Sequence, residues 1–116
     1  MVTETKPIDP ADFSPCCDPV EPAEAGEEAA QAIALFKALS DDTRLRIVRT
    51  MARSSSALCE CNIVPLFGLS QSTISYHLKV LREAGILDAE KRGLWAYYRV
   101  NHRVLMTAIK TLTDLA

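Results

Sequence analysis

LCECNIVPLFGLSQSTISYHLKVLREAG, residues 58–85, reads as two helices joined by a tight turn. Asn62 can cap a short helix through about Phe67, which puts Pro65 in the first turn, where a missing N–H costs little. Gly68 ends that helix and permits the turn. Ser70 caps a second helix that runs to about Ala84 and stops at Gly85. Ile74, Leu78 and Leu81 give the second helix one buried stripe. Gln71, Ser72, Ser75, Tyr76 and Lys79 fall largely off that stripe. A short helix, a glycine turn and a polar-fronted second helix form a helix-turn-helix signature.

The next residues, ILDAEKRGLWAYYRV, predict two strands, 86–89 and 95–100, about a basic turn EKRG. A hairpin directly after a recognition helix is the wing of a winged helix. Gln71, Ser72, Ser75 and Tyr76 are expected at base edges, and Lys79, Lys91 and Arg92 at phosphates. His77 lies beside the buried stripe, and two roles stay open for it: a structural hydrogen bond or a base contact. Trp95 is expected as a core anchor of the wing, and Tyr97 and Tyr98 as mixed strand packing.

Upstream, EEAAQAIALFKALS offers Ala29, Ile33, Phe36 and Leu39 at helical spacing, with carboxylates in its first turn. DDTRLRIVRTMARS follows, with Asp41 or Asp42 as cap and Leu45, Val48 and Met51 as stripe. The last helix, RVLMTAIKTLTDL, is expected to expose Leu105, Ile109 and Leu112 on one face. Apolar first and last helices suit pairing with a second copy, with Phe36, Leu105 and Ile109 among the contacts. The expected fold is mainly α with a small β-hairpin: a winged helix-turn-helix, homodimeric, over residues 27–116.

Residues 1–26 differ in kind. They are rich in proline and carboxylates and poor in aliphatic side chains, so they read as a flexible N-terminal arm. The net charge of −2 hides this asymmetry. Residues 1–30 hold eight acidic groups and one basic group, whereas residues 31–116 hold twelve basic and seven acidic groups. A basic body can meet phosphate even when the whole chain is mildly acidic. The sequence has no apolar run of membrane-spanning length and no signal-peptide start, which predicts a soluble cytoplasmic protein. Thiols stay reduced in that compartment. Four cysteines, Cys16, Cys17, Cys59 and Cys61, therefore point to metal binding or redox chemistry more than to disulfide staples.

Taken together, LFKALSDDTRLRIVRTMA, LCECNI, LSQSTISYHLKVLREAGIL and KRGLWAYYRV resemble the ArsR/SmtB family of metal- and metalloid-sensing repressors, in its order and spacing over roughly residues 30–116. The resemblance implies a homodimeric winged helix that binds a DNA operator when free of inducer and releases it on binding, and two-fold symmetry then demands an inverted-repeat operator. The family's arsenic, cadmium and lead branches carry a cysteine-x-cysteine element at the start of the helix before the recognition helix. Here that element is Cys59-Glu60-Cys61.

Two thiolates can clasp one thiophilic ion, and soft ligands select As(III), Sb(III), Cd(II), Pb(II) or Zn(II) over hard cations. Arsenite favours three thiolates. The family's enterobacterial arsenic sensors take the third from the next turn of the same helix, where this chain has Val64. Some members bring N-terminal cysteines to this helix, often across the dimer, which makes Cys16 and Cys17 the expected additional donors. Three thiols suit As(III) or Sb(III), and four suit Cd(II), Pb(II) or Zn(II). Adjacent cysteines are not expected to face one ion easily without backbone strain, which favours three-thiolate As(III). The zinc branch uses last-helix carboxylates and histidines. Here His102 and Asp114 lack a second histidine, so that site is not expected. A thiol redox switch is the alternative regulator. A thiol enzyme is not expected, because neither histidine lies near a cysteine in sequence and Glu60 disfavours a thiolate.

Overall fold

The computed structural model describes residues 6–24 and 26–116; residues 1–5 and 25 of the expected arm lie outside the described residues. Residues 6–24 are exposed throughout, and their only helical turn is a 3-10 turn at Pro10–Asp12 capped by Asp9. The body then runs α1 (Gly26–Leu39), α2 (Asp42–Ala52), β1 (Leu58–Cys59), α3 (Glu60–Phe67), α4 (Gln71–Glu83), β2 (Leu87–Arg92), β3 (Trp95–Val100) and α5 (His102–Asp114). The three strands form one antiparallel sheet in the order β1-β3-β2.

Local chemistry sets the boundaries. Asp41 caps α2 by accepting a hydrogen bond from the Arg44 N–H at 3.0 Å. Ser70 caps α4 through the Thr73 N–H at 3.2 Å, and Asn101 caps α5 through the Val104 N–H at 3.1 Å. Gly68 closes α3 with φ 65°, a left-handed conformation that only glycine adopts without strain. At the end of α4 the Gly85 N–H bonds the Arg82 carbonyl and the Ile86 N–H bonds the Leu81 carbonyl. This is a Schellman closure, and it aims the chain directly into β2.

The core is formed where α1, α2, α3 and α4 meet the base of the hairpin: Leu35, Ile47, Ile63, Ile74, Leu78, Leu81, Ile86 and Leu87 are fully buried. The α4 stripe falls as expected. Two other stripes are rotated. In α1 the buried face is Ala32, Leu35 and Ala38, while Ile33 is 51 % exposed. In α2, Ile47 joins Val48 and Met51 inside, and Leu45 points out. Both helices carry apolar residues on more than one face, so spacing alone admits two stripes and packing selects one.

Four further expectations change. Glu60 begins α3, with Cys59 at the cap position; Asn62 sits in the first turn and accepts from the Cys59 N–H at 3.0 Å. Pro65 lies inside that helix, where it withholds the bond that would otherwise reach the Cys61 carbonyl. The hairpin turns at Gly93-Leu94, not at EKRG, because Lys91 and Arg92 pair with Ala96 and Trp95 as strand residues. Trp95 is 57 % exposed near that tip and anchors no core.

Candidate nucleic-acid interface and thiol site

Gln71, Ser72, Tyr76 and Lys79 are exposed on α4, and Ser75 is half-buried. The Ser75 hydroxyl donates a hydrogen bond to the Glu60 carboxylate, tying this face to the first turn of α3. His77 is half-buried, and its Nδ1 lies 3.3 Å from the Arg44 guanidinium. The same arginine donates to the Ala38 carbonyl at 2.7 Å. Arg44 therefore knits the end of α1 to α4, and this contact favours the structural role for His77. The expected phosphate-binding cations are not equivalent. Arg92 is paired with Glu90 at 2.6 Å, and Lys79 lies 3.9 Å from Glu83. Lys91, one position along β2, makes no carboxylate contact among the described residues.

The four cysteines are free thiols. Cys59 is 3 % exposed, held in β1 opposite Tyr97 of β3, whereas Cys61 is exposed in the first turn of α3. The Cys61 thiol is pushed up from its ordinary pKa, first by the neighbouring Cys59 thiol and then by desolvation. A soft ion bound at Cys61 would have to displace that proton. In the arm, the Cys16 and Cys17 sulfurs are 3.4 Å apart, with Cys17 in a left-handed conformation at φ 65°. Both thus lie on one side of the chain, at the cost of a backbone conformation that a residue with a Cβ rarely adopts, which is the strain expected of adjacent cysteines. The arm thiols and the α3 thiols are not gathered: no group of three His, Cys, Asp or Glu placed to hold a metal occurs among the described residues.

One feature escaped sequence reasoning altogether. Cys59, Glu60 and Cys61 line a cavity of about 510 Å3 with Val64, Pro65, Gln71, Lys91, Leu94, Trp95 and Ala96. It lies between the start of α3, the front of α4 and the wing tip. Trp95 reads in sequence as a core anchor, and strand alternation does not say which residues a hairpin tip overhangs.

Residues 41–89 match the profile described as "Bacterial regulatory protein, arsR family". Over 89 residues the chain is 37 % identical to an uncharacterized HTH-type transcriptional regulator of Methanocaldococcus jannaschii, covering 77 % of this chain and 99 % of that protein. It is also 39 % identical over 82 residues to the arsenical resistance operon repressor of Escherichia coli, covering 71 % of this chain and 69 % of that one. The chain belongs to the ArsR family of bacterial regulatory proteins. As an ArsR-family chain it is a transcription regulator, and winged helix-turn-helix regulators bind DNA. Among solved structures it is similar to an ArsR-like transcriptional regulator from Rhodococcus sp. RHA1, with a TM-score of 0.65 and 26 % identity over 74 % of this chain and 79 % of that one. No helix among the described residues is long and apolar enough to cross a membrane.

Proposed function

We propose that this ArsR-family chain is a cytoplasmic, homodimeric repressor that binds an inverted-repeat operator and releases it when As(III) or Sb(III) binds Cys59 and Cys61. The observation that carries this reading is the placement of both thiols around the first turn of α3, with Glu60 between them bonded to Ser75 on α4. An ion clasped there pulls on the element that packs against the reading helix. The two thiolates suit a soft ion. The third donor is Cys16 or Cys17, carried by the exposed arm from the same protomer or from the second copy. Arsenic in this state supplies three bonds to sulfur, and the chain supplies the thiolates and accepts the resulting shift of α3 against α4. That shift is bounded by the inducer's affinity difference between the DNA-fitting and non-fitting forms.

A second reading has its own support. The 3.4 Å approach of the Cys16 and Cys17 sulfurs lets both face one ion, which would complete a four-thiolate site for Cd(II) or Pb(II). The experiment is a titration of the reduced protein on operator DNA with As(III), Sb(III), Cd(II) and Pb(II). Release from the natural chain by As(III) at lower concentration than by Cd(II), and no release from Cys59→Ser/Cys61→Ser, is the expected result. Release of DNA from that double variant by As(III) would overturn the assignment, and release by peroxide alone would favour the redox switch.

A further inference from the structure

The cavity beside Cys59 and Cys61 is far larger than an inorganic ion needs. It measures about 510 Å3, against the roughly 10–15 Å3 that one water needs on such a measure. Its wing wall holds Leu94, 94 % exposed, and Trp95, 57 % exposed, with Val64 and Pro65 across from them on α3. Large apolar side chains held in water around a concave site mark a place where an apolar group binds. Among the described residues, no third His, Cys, Asp or Glu joins the two thiols into a metal-holding group. The body alone thus offers two sulfur ligands and an apolar wall.

We propose that this cavity binds trivalent arsenic carrying one aryl group, with Cys59 and Cys61 as its two sulfur ligands and the ring against Trp95 and Leu94. The assignment rests on the reading of Cys59 and Cys61 as the inducer thiols and names a second inducer class for them. An aryl-As(OH)2 exchanges its two As–O bonds for two As–S bonds. The two thiol protons leave with the two hydroxyls as water, and arsenic stays trivalent, so no oxidant or reductant is needed. The As–C bond fills the position that inorganic arsenite gives to a third thiolate, which makes the arm dispensable. Offset or edge-to-face contact with the indole favours a ring over a methyl group. Gln71 and Lys91 line the same cavity, so its occupant competes directly with the DNA-facing surface.

The test uses the full chain with Cys16→Ser/Cys17→Ser, because the vicinal arm thiols would capture any arsenical of this type. Phenylarsine oxide and methylarsonous acid are compared by DNA release, and by emission of Trp95, the chain's single tryptophan. Phenylarsine oxide is expected to quench that emission and to release DNA at about tenfold lower concentration than the methyl compound, the difference a buried ring makes. Trp95→Ala should remove most of that preference, and Trp95→Phe should keep it. Leu94→Ala, at a solvent-exposed turn with no fold to disturb, should also reduce it. Equal response to phenyl and methyl compounds, or a preference that survives both alanine variants, overturns the cavity assignment. Arsenite acting on the natural chain is measured alongside. If it releases DNA through Cys59 and Cys61 while the phenyl preference is missing, only the cavity assignment falls; if no arsenical acts through those thiols, the proposed function falls with it.

Discussion

The Ser75 hydroxyl donates to the Glu60 carboxylate, so the residue between the thiols of Cys59 and Cys61 is bonded to α4 on the face that carries Gln71 and Ser72. In the proposed switch, a clasp across Cys59 and Cys61 acts on the backbone that carries Glu60. Glu60→Ala is therefore expected to leave arsenite affinity nearly unchanged while reducing the ratio of free to arsenite-bound operator affinity by about tenfold, within the usual span of allosteric coupling. Operator titrations with and without arsenite measure that ratio. An unchanged ratio would remove this bond from the signal path.

The wing cations separate under salt titration. Lys91→Ala should lower the slope of log affinity against log salt by about one. Arg92 starts from a 2.6 Å pair with Glu90 and is partly neutralised. Glu90→Gln should release it and tighten binding at low salt. Equal slopes for the natural chain and Lys91→Ala would place the wing off the DNA.

Assembly is tested on the outer helices. Ile33 of α1 and Met106, Ile109 and Leu112 of α5 are all more than half exposed, while Phe36 and Leu105 are partly buried against the core. An apolar face left in water on two helices that pack together suits a second copy. Ile109→Glu is expected to give monomers in sedimentation at micromolar concentration and to weaken operator binding by more than tenfold, as the second half-site is lost. A dimer that persists in Ile109→Glu and Ile33→Glu alike would locate the interface elsewhere.

The arm thiols distinguish the ions. Cys16→Ser and Cys17→Ser are expected to differ in arsenite response, because a three-thiolate site takes only one of them, and to leave operator affinity unchanged. Equal losses in both, with Cd(II) the stronger inducer, would favour four thiolates.

The α2 cap gives a pH-dependent contribution. Asp41 is held below the usual carboxylate range, first by the Arg44 backbone N–H and then, against the opposing effect of desolvation, by the charges of Arg44 and His77. Its folded pKa is depressed, so the stabilisation is fully present above the unfolded value of about 3.9 and is lost as pH falls through the folded one. Asp41→Ala should cost about 1 kcal/mol at neutral pH and make acid unfolding less steep. Urea denaturation at pH 7 and at pH 3 measures both.

Much of the reader was legible in sequence because its determinants are local. Ser70, Gly68 and the Ile74, Leu78, Leu81 spacing act within one or two turns, and the same contacts exist in any compact arrangement of the chain. The ArsR-type order of motifs was legible for the same reason. The α1 and α2 stripes were not, since Ile33 and Leu45 are as apolar as the residues that went inside, and only the neighbouring helices choose among faces.

The thiol site divides along the same line. Sequence alone put Cys59 and Cys61 at the start of a helix and made them soft ligands. Strand β1 is two residues long and has no period to read, so its pairing of Leu58 with Tyr98 and Cys59 with Tyr97 was invisible. That pairing buries one thiol, leaves the other open, and brings the wing tip over both. It arises because β3 has a second edge whose N–H and C=O groups need partners, and residues distant in sequence supply them. Trp95, Leu94 and the cavity they wall were therefore decided by tertiary structure: a strand's alternation fixes which side a residue takes, but only packing fixes what stands on that side.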